Sequence, residues 1–208
     1  MLEIHHLSLS IPVSGQHVLA VSDVSLQLPA GKVLALVGES GCGKSLTAQS
    51  LLRLGEFQGV NKEAGDIVLH DKSLFNLSAD ELRHIRGGVI SMIFQEPMTA
   101  LNPVFTIGSQ ILEVIGLHTD LDKQAAYARA LLLLADVGLQ DGETLMKHYP
   151  DSLSGGMRQR ILIAMAMAGE PEFIIADEPT TALDVSVQSE SLHCSEVCNV
   201  KKAWACYW

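Results

Sequence analysis

The chain has 208 residues, of which 48% are hydrophobic and 5% aromatic, and it carries a formal net charge of −10. That length suits one domain with a sizeable core, and the composition indicates an α/β protein rather than a disordered or fibrous one. The negative charge argues against a general nucleic-acid-binding surface, because neutralising phosphates requires clustered Lys and Arg. The apolar runs are too short to span a bilayer and the N-terminus does not resemble a signal peptide, so we expect membrane contact only through a partner.

The first half of the chain predicts a series of strands around one helix. Apolar and polar residues alternate over the first thirty residues, which predicts two antiparallel strands joined by "PVSGQH". The continuous apolar run from Lys32 to Gly38 predicts a buried central strand, and a helix should follow from about Gly43 to Leu54. "GDIVLH" predicts a further strand, and "VISMIFQ" (Val89 to Gln95) a second buried one.

The second half is predominantly helical. "IGSQILEVIGLH" and "KQAAYARALLLLADVGL" have helical spacing, with Gly138 as a helix stop. "SGGMRQRILIAMAMAGEP" predicts a helix that begins at a Ser cap and ends at Gly169 and Pro171. "EFIIADEP" predicts a third buried strand.

"GESGCGKS", Gly38 to Ser45, matches the phosphate-loop pattern G-x-x-x-x-G-K-[ST] between a predicted strand and a predicted helix. Glycines let successive backbone N–H groups approach a polyphosphate. Lys44 then reaches the β- and γ-phosphates, and the Ser45 hydroxyl holds Mg²⁺. The alternative is a glycine-rich turn without a ligand, but both flanks favour the phosphate site. Cys42 occupies a position without a required residue type, so we expect no redox role for it.

Two carboxylates follow the strand in "FIIADE". Asp177 ends a predicted buried strand, at the sheet edge where open α/β folds bind ligands. This position predicts Asp177 as a residue of the Mg²⁺ shell and Glu178 as the general base that polarises an attacking water.

The segment "LSGGMRQR", Leu153 to Arg160, indicates a capped helix, and it also resembles the signature of ABC ATPases. The order of phosphate loop, "IFQEP", "LSGGMRQ" and "ADEPTTALD" resembles the same family over residues 1–188. "FQEPMTALNP" and "HYPDSLSGGMRQR" are most similar to the ATPase subunits of oligopeptide, dipeptide and nickel importers.

This resemblance implies an α/β P-loop NTPase core with an antiparallel β subdomain, formed by residues 1–95 and 154–188. Residues 96–153 would be an inserted helical subdomain that receives a coupling helix from a membrane subunit. Together these residues, 1–188, would be an ABC nucleotide-binding domain from which the C-terminal part of the core is missing.

The resemblance also implies residue roles in a head-to-tail dimer with ATP sandwiched between the monomers. Gln95 would lie near Mg²⁺ and the attacking water, and Asp184 would cross the interface. Ser154, Gly155 and Gly156 would bind the γ-phosphate of ATP held by the opposite monomer. With the phosphate loop included, the predicted site comprises catalytic Glu178, Gln95 and Lys44; nucleotide-binding Gly38, Glu39, Ser40, Gly41, Cys42, Gly43, Lys44, Ser45, Leu46, Ser154, Gly155, Gly156 and Asp184; and Mg²⁺-binding Ser45, Gln95 and Asp177.

Two features depart from the family. "SIPVSGQHVLAV" lacks the aromatic residue that usually stacks on adenine, so His17 or aliphatic side chains would have to replace it. The switch histidine that should follow the second acidic motif is missing, because His193 comes too early. The other histidines, including His5, His6, His70 and His148, indicate surface or packing positions.

Residues 189–208 lose the periodicity of the preceding chain. Cys194, Cys198 and Cys206 could be metal ligands, but a fourth ligand is lacking. Alternatively, if suitable permitted codons are chosen, "SLHCSEVCNVKKAWACYW" can be read one nucleotide earlier as "ILALLRGLQREEGMGLLL", which has helix-like and then strand-like spacing. This second interpretation predicts a frameshifted, non-native tail, a chain without the last strands of its sheet, and severely impaired hydrolysis and transport coupling.

The sequence therefore predicts the ATP-hydrolysing subunit of an importer for peptides or nickel, with ATP and Mg²⁺ as cofactors. Its expected partners are a second ABC ATPase subunit, identical or different, integral membrane permease subunits and, indirectly, an extracytoplasmic solute-binding protein, but no nucleic acid. It would lie on the cytoplasmic face of the cell membrane. Two alternatives remain: a truncated nucleotide-binding remnant with little ATPase activity, and a soluble non-transport ABC ATPase. The second should show coiled coils, zinc modules, tandem cassettes or basic patches, and the sequence has none.

Overall fold

A computed structural model describes residues 1–94 and 100–177, together with the backbone of Ala203–Tyr207. The strands are β1 Leu2–Val13, β2 Gln16–Leu28, β3 Val33–Leu36, β4 Asn61–Leu69, β5 Lys72–Ser73, β6 Ile90–Ile93, β7 Phe173–Asp177 and β8 Ala203–Tyr207. The helices are α1 Lys44–Ser50, α2 Ala79–Gly88, α3 Ile107–His118, α4 Lys123–Asp136, α5 Gly142–Leu145 and α6 Gly155–Ala168. Short 3-10 turns cover Leu54–Gln58, Leu74–Asn76 and Pro150–Ser152.

The N-terminal strands form an antiparallel sheet of order β2-β1-β4-β5, which confirms the predicted strand pair. Leu2, Ile4 and Leu7 are almost fully buried. Alternation accounts for Leu2 and Ile4, and the register shift between Ile4 and Leu7 changes the phase of the pattern before Leu7. A bulge interrupts the pairing of β1 with β4, and Gly65 lies there with φ +81°. A Cβ atom on Gly65 would collide with the carbonyl oxygens of the neighbouring strand, so the bulge requires glycine.

The second sheet is parallel, with order β3-β8-β7-β6. Strands β6 and β7 are buried, as predicted from their apolar runs. The prediction that β3 is a buried central strand was wrong, because β3 lies at the end of the described strand order and none of its residues is fully buried. Leu34 and Leu36 pack against the core beside α1, whereas Val33 is 55% and Val37 is 79% exposed. Among the described residues, packing against β3 is therefore limited to the side that carries Leu34 and Leu36.

The backbone of β8 lies between β3 and β7 and is parallel to both. Tyr207 pairs with Leu36 on one side and with Asp177 on the other. The sequence pattern did not predict a strand in this part of the tail. The backbone of Ala203–Tyr207 therefore supplies a central strand that the sequence analysis had expected the chain to lack.

Helix α1 is shorter than predicted, because it ends at Ser50 rather than near Leu54. Arg53 adopts a left-handed conformation with φ +53°, which stops the helix. Its guanidinium group donates hydrogen bonds to the Glu56 carboxylate and to the carbonyl oxygens of Leu74 and Leu77. These contacts tie the end of α1 to the β subdomain.

The helical segment agrees with the sequence analysis. The Thr106 and Asp122 side chains cap α3 and α4, and Gly138 with φ +77° follows the end of α4. Helices α3, α4 and α6 share a buried apolar cluster that includes Ile111 and Leu133. Within the described ranges, no helix combines the length and apolar composition needed to cross a bilayer.

Candidate nucleotide-binding site

The loop from Gly38 to Ser45 connects β3 to α1, as the phosphate-loop pattern requires. Gly41 and Gly43 both have positive φ angles, +80° and +93°. A Cβ atom on Gly43 would lie 2.9 Å from the carbonyl oxygen of Ala20, so the loop packs directly against β2. Glycine is required at position 43 both by the backbone conformation and by this close approach.

Lys44 lies folded over the loop. Its Nζ atom donates hydrogen bonds to the carbonyl oxygens of Gly38 at 2.7 Å and Glu39 at 2.9 Å, and it lies 3.8 Å from the Cys42 Sγ atom. The ammonium group is therefore held where the loop turns, which is the position predicted for contact with phosphate oxygens.

The predicted Mg²⁺ residues Ser45 and Asp177 lie side by side, although 132 residues separate them in the chain. The Ser45 Oγ atom donates a hydrogen bond of 2.8 Å to the Asp177 Oδ1 atom. Asp177 ends β7 and is only 4% exposed. A hydroxyl and a carboxylate are oxygen donors of the kind that Mg²⁺ binds, together with phosphate oxygens and water. The donor set at this position therefore fits Mg²⁺.

A cleft of about 390 Å³ opens beside the loop, and its wall away from the loop is aliphatic. Ile11 from β1 and Ala20 from β2 line it together with Ser40, Gly41, Gly43, Lys44, Ser45 and Leu46. His17 does not line this cleft. Its Nδ1 atom instead lies 3.3 Å from both the Ser10 Oγ and the Asn61 Nδ2 atoms. Of the two replacements considered for the missing aromatic residue, the geometry favours aliphatic side chains.

Ile11 and Ala20 are residues of this cleft that the sequence analysis did not identify. Both are small or medium apolar residues in alternating strands, so composition and spacing do not distinguish them from core positions. Only the pairing of β1 with β2 brings them beside the loop.

The predicted signature residues start helix α6. Ser154 is the N-cap, and its Oγ atom accepts a hydrogen bond from the Met157 backbone N–H at 3.3 Å. Ser154 and Gly155 are exposed, and a Cβ atom on Gly155 would meet no heavy atom within 4 Å. Ser154, Gly155 and Gly156 do not line the cleft beside the phosphate loop. The cleft and the start of α6 are thus separate surfaces of this chain.

Three other predicted site residues lie outside the described residues: Gln95, Glu178 and Asp184. The same is true of the side chains of Cys194, Cys198 and Cys206 and of His193, so the roles considered for them remain predictions.

The structure confirms that three predicted surface histidines lie in exposed polar contacts. The His5 Nε2 atom lies 3.4 Å from the Glu3 carboxylate, His6 Nδ1 lies 2.7 Å from Asp23, and His70 Nε2 lies 2.7 Å from Glu172. Between the described residues, no group of three or more His, Cys, Asp or Glu side chains is arranged to hold a metal ion.

Comparisons with known proteins agree with this geometry. The family model described as "ABC transporter" matches residues 21–181. Among curated relatives, the glutathione import ATP-binding protein GsiA of Salmonella typhimurium is 46% identical over 202 residues, which are 95% of this chain and 32% of GsiA. The dipeptide transport ATP-binding protein DppD of Bacillus subtilis is 48% identical over 192 residues, which are 92% of this chain and 57% of DppD. The chain thus spans about a third to somewhat over half of the length of these relatives.

A further relative is the peptidoglycan transport ATP-binding protein YejF of Agrobacterium fabrum, 47% identical over 92% of this chain and 35% of YejF. Among solved structures, the dimeric ATP-binding cassette MJ0796 bound to ADP and Pi has a TM-score of 0.84 and 26% identity, covering 100% of this chain and 87% of that one. A second dimeric MJ0796 structure has a TM-score of 0.85. The phosphate loop, the Ser45–Asp177 pair and the capped α6 thus occur in a matching fold, and the chain belongs to the ABC transporter ATP-binding family.

Proposed function

We propose that this chain binds MgATP as the nucleotide-binding domain of an ABC importer for peptides or nickel, and that ATP hydrolysis by the assembled domain powers transport. The observation that carries the proposal is the hydrogen bond between Ser45 and Asp177 beside Lys44. Three residues from two separate segments converge there, and their chemistry is that of a magnesium–phosphate site.

Each residue of the site has a distinct part in this proposal. Lys44 exchanges the carbonyl oxygens of Gly38 and Glu39 for phosphate oxygens, while loop N–H groups bind the remaining charge. Ser45 and Asp177 hold Mg²⁺, which neutralises charge that develops on the phosphates. Ile11 and Ala20 offer an apolar surface to the adenine ring.

The remaining roles follow from the family resemblance. Glu178 acts as the general base toward water, and Gln95 contacts the Mg²⁺ shell. Ser154, Gly155 and Gly156 bind the γ-phosphate in a second copy or a related subunit. The exposure of Ser154 and Gly155, away from the cleft, supports a role across an interface.

The importer class is supported by the printed names of the relatives, which include glutathione, dipeptide and peptidoglycan transport. Nickel is included as a proposed cargo only because the sequence resembles the ATPase subunits of nickel importers. The ATPase subunit does not contact the cargo, so its own residues do not select between these substrates.

A patch of exposed apolar side chains on the helical subdomain is the proposed contact for the membrane subunits. Val104, Phe105 and Tyr149 are 71%, 53% and 51% exposed. The Ile107 N–H donates to the His148 carbonyl oxygen at 2.8 Å, which brings the two segments of the patch together. Exposed apolar patches of this kind mark protein interaction sites, and a short amphipathic helix of a permease would bury them.

The first test is binding of a fluorescent ATP analogue with Mg²⁺ to the 208-residue chain and to Lys44→Ala. Loss of a charge-assisted contact to phosphate should weaken binding by about 10- to 100-fold. Lys72→Ala is the matched control, because Lys72 is exposed on β5 and outside the cleft, and its affinity should stay within about twofold of wild type. Equal affinities of wild type and Lys44→Ala would contradict the proposed site. Binding without turnover would favour the alternative of a nucleotide-binding remnant.

A further inference from the structure

The His118 side chain ends α3 in a cradle formed by three glycines, Gly87, Gly88 and Gly169. A Cβ atom on Gly87 would lie 2.6 Å from the His118 Nε2 atom, and one on Gly88 would lie 3.1 Å from Nδ1. A Cβ atom on Gly169 would lie 3.2 Å from the His118 Cβ atom. The imidazole ring therefore occupies space that side chains at positions 87 and 88 would otherwise fill, and Gly169 leaves room for the His118 Cβ atom.

This glycine cradle lies at the start of the two buried strands of the nucleotide site. Gly87 and Gly88 are the last two residues of α2, one residue before β6, and Gly169 lies between α6 and β7. The two strands are also joined there, because the N–H groups of Glu172 and Phe173 both donate to the Val89 carbonyl oxygen, at 2.9 and 3.0 Å. A displacement at the cradle would thus act on both strands together.

The cradle is connected to the phosphate-loop helix as well. Arg86 precedes the first glycine, and its Nε and Nη2 atoms donate to the Leu52 carbonyl oxygen at 2.9 and 2.7 Å. Leu52 lies in the turn after α1, the helix that begins at Lys44. Burial lowers the pKa of the Arg86 guanidinium, which agrees with its position beneath this turn.

Asp177 and Ser154, which are predicted to contact Mg²⁺ and nucleotide, lie at the opposite ends of two of these elements. Strand β7 runs from the cradle to Asp177, and α6 runs from Ser154 to the cradle. His118, the last residue of α3, lies at this junction. No side chain separates its imidazole ring from the backbone of Gly87 and Gly88.

We propose that His118 is a positioning residue, which couples MgATP binding at the phosphate loop to the helical subdomain through the glycine cradle. This inference rests on the proposed function, since it requires the cleft to bind MgATP. Coupling needs a contact shared by both parts of the molecule, and the cradle joins α3 to α1, β6, α6 and β7.

The test measures two quantities on the 208-residue chain: affinity for a fluorescent ATP analogue with Mg²⁺, and amide hydrogen exchange of the peptide Ile107–His118 with and without MgATP. In the wild type, MgATP should slow exchange in this peptide by about fivefold or more. His118→Ala should keep its MgATP affinity within about twofold of wild type but lose the slowing, because the cleft does not contain His118. His118→Gln, which keeps a planar polar group, should restore part of the slowing of exchange by MgATP.

Matched variants separate this role from general packing. Leu117→Ala changes the neighbouring residue, which is 71% exposed, and should behave like the wild type. Gly88→Ala should displace the ring and reproduce the loss, but should add nothing when combined with His118→Ala. Gly169→Ala should destabilise either background, because its methyl group would meet the Gly87 carbonyl oxygen.

The outcomes distinguish the two proposals. Two results would overturn the role of His118 while the proposed nucleotide site stands, provided that the wild type binds MgATP. In the first, His118→Ala retains the full slowing of exchange. In the second, MgATP causes no slowing of exchange in the wild type. If the wild type does not bind MgATP, the proposed function fails, and the coupling role fails with it.

Discussion

The proposed Mg²⁺ site depends on one contact between two side chains, the hydrogen bond of Ser45 with Asp177. The hydroxyl-to-carboxylate hydrogen bond of 2.8 Å aligns two oxygen donors from α1 and β7. Asp177 is only 4% exposed and ends the buried strand β7, so the packing around this strand fixes the position of its carboxylate. A shift in either element would separate the two donors, so the geometry depends on the packing of both.

A first prediction concerns Mg²⁺ at this pair. Ser45→Ala should reduce the effect of Mg²⁺ on ATP affinity by about tenfold, because one oxygen donor is lost, while affinity without Mg²⁺ should change little. Ser45→Thr keeps the hydroxyl group and is the control, which should retain the Mg²⁺ effect. Titrations with and without Mg²⁺ measure both quantities. Unchanged Mg²⁺ dependence in Ser45→Ala would place the ion elsewhere.

A second prediction follows from the pKa of His118, which burial, and secondarily the nearby His84, lowers below its ordinary value of 6.5. Between the lowered folded-state pKa and 6.5, the unfolded chain binds more protons than the folded chain, so stability rises with pH across this window. As the pH falls, the stability that the neutral His118 contributes is progressively lost, and this loss reaches its full extent once the pH lies below the pKa of His118 in the folded chain.

Wild type should therefore lose more free energy of unfolding than His118→Gln when the pH falls from about 8 to about 5.5, since glutamine does not titrate. Denaturant unfolding of both proteins at both pH values measures the difference, and all other titrating groups are common to the pair. An equal loss in the two proteins would show that the protonation of His118 does not oppose folding.

At the scale of elements, the strands β3 and β8 have surroundings that their own sequences do not predict. Strand β3 has an uninterrupted apolar sequence, but Leu34 and Leu36 are only partly buried and Val33 is 55% exposed. Strand β8 lies in a tail without strand periodicity, yet its backbone pairs with β3 and with β7. Neighbouring elements, rather than local preference, determine both outcomes.

A third prediction tests β8 as a structural element. Ala205 pairs with Leu34 and with Ile175, so its backbone lies between two strands. Proline cannot donate a ladder hydrogen bond, and Ala205→Pro should lower the free energy of unfolding by about 3 kcal/mol. Ala205→Ser keeps the N–H group and serves as the control in the same thermal melts. If both variants melt like the wild type, the tail strand does not contribute to the folded sheet.

At the scale of the whole molecule, the described residues form two apolar cores on opposite faces of the parallel sheet. One core joins the antiparallel sheet to α1 and one face of the parallel sheet, and the other joins α3, α4 and α6 to the opposite face. The buried strands β6 and β7 contribute to both cores, with Phe173 in one and Ile174 in the other. The nucleotide site and the proposed partner surface thus share these strands.

A fourth prediction concerns ATP turnover by this chain and by a protein with a restored reading frame. A protein expressed from frame-restored coding DNA should hydrolyse MgATP faster than this chain, because the restored segment carries the apolar helix pattern and leads to the switch histidine expected in this family. Glu178→Gln in both proteins controls for background activity and should abolish turnover in each. Steady-state phosphate release is the measurement. Comparable turnover by the two proteins would contradict the prediction that hydrolysis by this chain is severely impaired.

The family, most elements, the glycine-rich loop before α1 and the position of Asp177 at the end of β7 were all predictable from the sequence, because they depend on local patterns and fixed spacings. Gly43 and Ser154 are examples, since a tight loop and a helix cap each need a particular residue type. Tertiary structure alone decided that β3 is half exposed, that Ile11 and Ala20 line the cleft, that the backbone of 203–207 joins the sheet, and that His118 rests on three glycines. These features arise from contacts between segments far apart in the chain, and neither periodicity nor residue preference encodes which distant surfaces meet.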